Sequence, residues 1–452
     1  MFQEVCFSQS KKSDLLDKSN HGLIIGGVKS GKSTALQRLA ESYSKIGVPV
    51  ITCDTTSRLS GLASKIVNNQ EIYSKNSVRF FDPLKNKGIP LNTSISEIGP
   101  LLLARMLDLT PTQSGVLNIC FAIADDNHLI ISNFDDLRTM LKHLKDNAKS
   151  YELDYGYAST RSIGSIQRKL LTYQREGLDK FFTLPSIDIF DFLKTQDKVG
   201  LINILSLDKV RNHSLVYSTL ILFILSSLYS KLPLSKKLKL VVLIDEADHL
   251  FNNIDKTLSD KLREVISSLS KRGVSVYFSI KDTTKINRYI NDLLVNKIIL
   301  PISNHLEYNE SEIKRICRQI SHDNYDKVFN QLQRLELGQA LVSFVNKSDD
   351  FNPPEVINIA KPESKIGCAE LSIINSLTKN SSLYEKYGTS DPYELKLPKQ
   401  VTSSTKDDTN FNKKLLRDTI QTAARTFGRY LGNSLARNVL EMLEDKVESL
   451  DE

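Results

Sequence analysis

Apolar residues along this chain fall into two alternating rhythms. Short runs rich in β-branched residues read as buried strands at His21–Ile25, Val48–Cys53, Val78–Phe81, Gly200–Leu205, Leu240–Ile244, Val274–Ile280, Lys297–Leu300 and Ala340–Val345. Between most of them apolar residues recur at helical spacing, as in Thr34–Lys45, Ser214–Ser230 and Leu258–Lys271. Strands alternating with helices build parallel βαβ units covered on both faces. The pattern predicts an α/β fold with a mostly parallel central sheet. Between Pro90 and Leu193 the strand rhythm stops. Leu101–Leu109, Thr112–Ala124, Asp135–Asp146 and Ser162–Glu176 are all spaced as helices, which predicts an α-rich insertion. From about Ser376 to Thr409 the chain turns polar and reads as a linker or ordered surface loop. Helical spacing returns over Phe411–Ser449, where Leu415, Ile420, Phe427, Leu431 and Leu435 recur beside Arg417, Arg425, Arg429 and Arg437. That extension is expected to dock on the body or on a neighbouring subunit, with its arginines solvated. The predicted organisation is an N-terminal segment 1–19, a core from 20–89 and 196–375, an insertion 90–195, a polar linker 376–410 and a C-terminal helix 411–452.

One loop carries the chemistry. Gly26-Gly27-Val28-Lys29-Ser30-Gly31-Lys32-Ser33 matches G-x-x-x-x-G-K-[ST], the phosphate-binding P-loop. It stands between an apolar strand and a helix that begins at Thr34, the context the motif requires. Such a loop turns successive backbone N–H groups inward to cradle phosphates. Lys32 is expected to reach the outer phosphates and the Ser33 hydroxyl to ligate Mg²⁺. The helix N-terminus adds its dipole to the anion site.

A second motif tells what the nucleotide is for. Leu240–Ile244 is a wholly apolar run closed by Asp245-Glu246, the Walker B pattern. Asp245 is expected to hold the Mg²⁺ and Glu246 to polarise the water that attacks the terminal phosphate. A small-molecule phosphotransferase needs no glutamate there, because its nucleophile is the substrate. The pair therefore points to ATP hydrolysis. Asp54, at the end of the second predicted strand, has two readings, an outer partner of the Mg²⁺ or a strand-end cap.

Composition narrows the class only a little. The 452 residues are 40% hydrophobic and 25% charged, with a net charge of +7, ordinary for a globular protein and compatible with nucleic-acid contact without demanding it. Five cysteines contain no C-x-x-C pair, which argues against a zinc site or a disulfide framework. Met1–Asn20 has no apolar core of a signal peptide. Leu215–Tyr229 is short for a membrane span and reads as a buried helix. A cytoplasmic protein with no membrane partner is expected.

The chain resembles the HerA/FtsK superfamily of ring-forming DNA-translocating ATPases, and within it the YjgR-like branch of HerA-type helicases. The similarity is carried by the P-loop and by Gly47-Val48-Pro49-Val50, Thr112-Gln113-Ser114-Gly115, Ser162-Ile163-Gly164-Ser165-Ile166-Gln167-Arg168, Gly200-Leu201-Ile202-Asn203-Ile204-Leu205, Ile244-Asp245-Glu246-Ala247-Asp248, Arg272-Gly273-Val274 and Leu337-Gly338-Gln339-Ala340. The resemblance implies a RecA-like P-loop NTPase core in a homo-oligomeric, hexameric ring. ATP and Mg²⁺ would lie between subunits and DNA, bound without sequence preference, in the channel. It also implies an arginine contributed by the neighbour. Three positions depart from the family. Lys281 stands where a glutamine senses the terminal phosphate. Ser267 and Ser270 stand where arginines are usual, leaving Arg263 and Arg272 as candidates to act across a subunit boundary. Lys297 replaces a further arginine and joins them, keeping the charge without the bidentate fork. The substitutions open an alternative, an ATP-binding scaffold with slow or absent turnover in a DNA-processing or defence assembly. With the loop beginning at residue 26, the β-barrel that precedes it in HerA proper is not expected here, and a nuclease partner that docks on that barrel is not carried over.

Overall fold

All eight predicted runs form strands in the computed structural model, which describes residues 19–397 apart from 68–69, 74–76, 252–255, 287, 303–309, 321–324, 346–352, 390–392 and 394. In chain order the strands are β1 (Gly22–Ile25), β2 (Val50–Asp54), β3 (Ser64–Val67), β4 (Gln70–Tyr73), β5 (Val78–Asp82), β6 (Ile89–Pro90), β7 (Thr195–Gln196), β8 (Val199–Gly200), β9 (Ile202–Ser206), β10 (Leu240–Ile244), β11 (Val274–Ile280), β12 (Asn296–Ile299), β13 (Gln339–Ser343) and β14 (Glu355–Asn358). A single ten-stranded sheet runs in the order β14-β13-β12-β1-β11-β10-β2-β9-β5-β6. From β12 to β6 every pairing is parallel; β13 and β14 close one end antiparallel. The sheet belongs to the larger of two compact units, whose described residues lie in 19–90, 188–218 and 233–388. The chain is thus RecA-like, a mostly parallel sheet flanked by helices.

The strand sequences explain the placing. β1, β2, β9, β10, β11 and β12 are buried at every position, as strands covered on both faces must be. The helix Lys32–Lys45 lays Leu36, Leu39, Ala40 and Tyr43 on a core with Ile24, Val50, Val241 and Leu243. Gly22 is required where it stands, since a Cβ there would lie 2.2 Å from the Tyr277 ring. His21, just ahead of β1, accepts from the Val276 N–H at Nδ1 (3.0 Å) and donates from Nε2 to the Ile266 carbonyl (2.7 Å). Those two partners fix a neutral ring, and burial pushes its pKa down to about 4.

A strap of chain near residue 364 crosses the helix Lys32–Lys45. The Glu41 carboxylate, fully buried, accepts the backbone N–H groups of Glu363 (3.0 Å) and Ser364 (2.8 Å), the Ser364 hydroxyl (2.5 Å) and an Arg38 N–H (3.3 Å). Gln37 donates to Ser364 Oγ (2.6 Å) and to the Lys365 carbonyl (2.9 Å). Below the strap only a glycine fits at 61, where a Cβ would meet the Lys365 oxygen at 2.1 Å.

The polar stretch expected as a linker from 376 begins as ordered helix instead, Leu371–Lys379 followed by Ser382–Gly388. Its buried Leu383 and Tyr387 hold it down. The Tyr387 hydroxyl donates to Asp191 (2.5 Å), beside ion pairs from Lys386 (2.8 Å) and Lys194 (2.5 Å). Burial raises the Asp191 carboxyl, but these donors outweigh it and hold the pKa down at about 2. The helix expected at 411–452, and residues 1–18, lie outside the described residues.

The described residues of the second unit lie in 91–187, 219–232 and 389–397. Its helices are Ile95–Met106, Pro111–Asp126, Phe134–Asp146, Ala148–Tyr155 and Thr160–Arg175. Their starts are written in the sequence. Ser94, Thr110, Asn133 and Ser159 each accept a first-turn N–H, and Thr110 with Gln113 forms a full capping box ahead of Pro111. Gly99, at φ 77, with Pro100 breaks the first helix after the buried Ile95 and Ile98. Ser214–Lys231 is apolar and long enough to cross a membrane, and 72% of it is buried inside the protein.

Candidate functional site

Parallel strands deliver their following loops to one edge of the sheet, the usual place for a ligand in an open α/β fold. Here β1 is followed by the P-loop, β2 by Thr55, β9 by Arg211, β10 by Asp245 and Glu246, and β11 by Lys281. β11 lies between β1 and β10. Lys281 therefore arrives between the phosphate loop and the acidic pair.

The loop has the shape its glycines allow. Gly31 sits at φ 97 and Lys29 at φ 60, left-handed conformations that cost least at glycine. A Cβ on Gly26 would stand 2.4 Å from Ser30 Oγ. The Ser30 hydroxyl donates to the Gly27 carbonyl at 2.9 Å and ties the loop across its own turn. The Lys32 ammonium donates back to the carbonyls of Gly26 and Gly27, the latter at 2.5 Å. Burial, and then the nearby Lys281 charge, press the Lys32 pKa down to about 8, against partial support from Asp245, Asp248 and Glu246. A buried ammonium beside a second cation is a site short of negative charge.

Asp245 is 2% exposed. Burial and the adjacent Glu246 raise its pKa. One of its oxygens accepts the Glu246 N–H at 3.0 Å, and its carbonyl accepts the Tyr217 hydroxyl at 2.9 Å. Glu246 follows at φ 48, left-handed for a residue with a side chain, a strain of about 1–3 kcal/mol that surrounding bonds must hold. Its carboxylate meets Arg211 Nε at 2.8 Å, Arg211 Nη2 at 3.1 Å, Lys281 Nζ at 3.2 Å and Thr55 Oγ1 at 3.1 Å. Burial raises the Glu246 pKa, but Lys281 and Arg211 outweigh that and leave it below the usual glutamate range. Asp248 accepts the N–H groups of Lys281 (3.0 Å) and Asp282 (2.9 Å), so its carboxylate shapes the turn that presents Lys281.

Lys32, Asp245, Glu246 and Lys281 are thus brought together, with Ser33 and Thr34 in the first turn of the helix that Lys32 begins. The candidates for action across a boundary are not. Lys297 is 5% exposed on β12, with its ammonium bonded to the Asn291 side chain (2.7 Å) and carbonyl (3.2 Å). Burial presses its pKa down to about 7. Its ammonium is thus engaged within its own chain. Arg272 stands at the far end of β11 from Lys281 and donates to the Ser268 carbonyl at 3.2 Å. Arg263 is exposed on the helix Lys256–Ser270, its guanidinium 5.1 Å over the Tyr289 ring. Asp54 caps the turn after β2. Its oxygens accept Thr56 N–H (3.1 Å) and Leu59 N–H (3.0 Å), and burial, with Asp245 and Asp208 adding, pushes its pKa up to about 7. Thr55, Arg211 and Asp248 were not singled out from the sequence.

No cluster of three or more potential metal ligands occurs among the described residues. That suits Mg²⁺, which takes one or two protein ligands beside phosphate oxygens and water rather than a protein cage. Asp245 fits the task, a buried carboxyl whose charge is disfavoured until a cation joins it.

Fold and site together define a P-loop NTPase. The family model described as "Helicase HerA-like C-terminal" matches residues 7–409. The chain belongs to that family. Among solved structures, the plasmid coupling protein TrwB in complex with the non-hydrolysable GTP analogue GDPNP is 14% identical over 77% of this chain and 87% of that one, at a TM-score of 0.52. TrwB with ADP and Mg²⁺ is 14% identical over 76% and 86%, at 0.51. VirB4 of Thermoanaerobacter pseudethanolicus is 13% identical over 81% and 99%, at 0.52. At these identities the likeness is one of fold. No curated protein matches.

Proposed function

We propose that the protein is an ATP-dependent DNA translocase or helicase of HerA type, hydrolysing ATP at the subunit boundaries of a homo-oligomeric ring. The observation that carries the reading is the meeting of Lys32, Asp245, Glu246 and Lys281 at one edge of the sheet. In this scheme the N–H groups of the P-loop and the Lys32 ammonium bind the phosphates. Ser33 and Asp245 hold Mg²⁺, which supplies charge neutralisation on the outer phosphates. Glu246 orients and polarises the attacking water, and Lys281 contacts the terminal phosphate. DNA is held through its backbone, without sequence preference. The relatives add support: TrwB is a plasmid coupling protein solved with nucleotide analogues and with ADP and Mg²⁺.

The test is ATP turnover with and without single- and double-stranded DNA, beside mass measurement with a non-hydrolysable ATP analogue. DNA should stimulate hydrolysis several-fold, and the stimulation should fall steeply with salt, as counterion release requires. Purified protein that cleaves no ATP with any form of DNA defeats the reading. The scaffold alternative, ATP-dependent assembly with little turnover, then takes its place, favoured by the cations that already occupy the Glu246 carboxylate.

ATP affinity should also depend on alkaline pH. Lys32 is depressed to about 8 in the nucleotide-free protein, while phosphates beside it favour its charged form. Below pH 8 both forms are protonated and affinity is flat. Above it the free protein sheds a proton that the complex retains, so affinity falls by up to about tenfold per pH unit. Titration with a non-hydrolysable analogue at pH 7, 8 and 9 reads the slope; an unchanged affinity across that range refutes the assignment.

A further inference from the structure

Arg211 belongs to no recognised motif, yet it makes the shortest bond to the Glu246 carboxylate. It stands on a firm base. Leu207 and Val210 are fully buried on either side of the loop that follows β9. The Leu207 N–H is bonded to the Asp54 carbonyl (2.8 Å), and the loop closes on itself through Val210 N–H to Leu207 O (3.1 Å) and His213 N–H to Val210 O (3.0 Å). Lys87 pairs with Asp208 at 3.1 Å. The guanidinium then reaches Glu246 as a fork, Nε to Oε2 and Nη2 to Oε1. A fork of this kind fixes the plane of a carboxylate as well as its charge, which a lysine cannot do.

The other two donors complete a count. An ionised carboxylate has about four acceptor sites. Arg211 donates to Oε1 from Nη2 and sets Nε 2.8 Å from Oε2, Lys281 donates a second bond to Oε1 and Thr55 one to Oε2. A water that is to lose its proton to Glu246 needs one of those sites. Lys281 is within electrostatic reach of Lys32, and so of the place where phosphate binds. Its ammonium rides on a flexible chain that is 42% exposed.

We propose that Arg211 is the positioning residue for Glu246, holding its carboxylate by the guanidinium fork while Lys281 exchanges Oε1 for the terminal phosphate and opens that site to water. Nucleotide arrival and activation of the base become one event. The proposal rests on the hydrolytic reading above and adds to it the residue that orients the base.

The test compares wild type, Arg211→Ala and Arg211→Lys in steady-state ATP hydrolysis, with affinity for a non-hydrolysable ATP analogue measured in parallel. Arg211→Ala should lower kcat at least tenfold while KM and analogue affinity stay within twofold. Arg211→Lys should recover part of the loss, since it restores charge without the fork. A kcat within twofold of wild type overturns the proposal, as does a loss of kcat that merely follows a loss of analogue affinity. Melting temperatures guard against simple misfolding. Arg211→Ala, Glu246→Gln and the double variant should be non-additive in kcat, and strict additivity rejects the clamp; Arg211→Lys takes the place of Arg211→Ala in the same cycle where the alanine variant is too unstable to assay. A wild type that binds ATP without cleaving it defeats the hydrolytic reading itself, a result distinct from an Arg211→Ala enzyme that turns over normally.

Discussion

Lys32→Ala is expected to weaken ATP binding by about two to four orders of magnitude. The estimate follows from two charge-assisted hydrogen bonds to phosphate, each contributing about 1.5–3 kcal/mol. The folded chain should survive. In the nucleotide-free state the ammonium only bridges two carbonyls of its own loop, and the loop keeps its Ser30 tie and its place between β1 and the helix Lys32–Lys45. Isothermal titration with ATP and Mg²⁺, alongside a thermal melt, separates the two effects. An affinity within fivefold of wild type would remove the phosphate loop from the mechanism.

Glu246→Gln should behave oppositely at the binding step. The amide leaves the shape of the site almost unchanged but cannot take a proton, so turnover should fall by about 10²–10⁴, the usual contribution of a general base. It also dissolves the ion pairs to Arg211 and Lys281. Lys281 is then available to the terminal phosphate without competition, and ATP affinity should hold or rise. Rapid-quench measurement of a single turnover shows the loss, and filter retention of labelled ATP shows the trapped nucleotide. A variant with wild-type turnover would move the base elsewhere and with it the whole acidic pair.

The sheet was legible because a fully buried parallel strand is apolar at every position, a pattern few other elements share. All eight such runs are strands within two residues of their predicted bounds. The hairpin of β3 and β4 escaped because its residues are half polar, with Ile66 and Ile72 exposed. The helices after Leu371 escaped for another reason. They are anchored by a few residues, Ile373 and Ile374 in the first and Leu383 and Tyr387 in the second, which a composition reading cannot weigh. In the site, Lys32, Asp245 and Glu246 announce themselves through motifs. Arg211 does not, since an arginine in a polar loop is unremarkable until the parallel order of β2 and β9 brings that loop to the nucleotide edge. The rule that ligands gather at the carboxyl ends of parallel strands is the one signal that could have found it. Lys297 shows the converse. Its charge invited a role at a boundary, but its position in a strand covered on both faces buries it.

The strap across the helix Lys32–Lys45 is also a load path. Glu41 and Gln37 grip it through five hydrogen bonds to residues 363–365, and Glu41 is fully buried, so water does not compete for those bonds. Ala369 and Glu370 extend the hold, their N–H groups donating to Ser60 Oγ (2.9 Å) and Glu71 (3.0 Å). The gripped helix begins at Lys32. A displacement of residues 363–365 would therefore act on the element that carries the phosphate lysine without crossing the sheet.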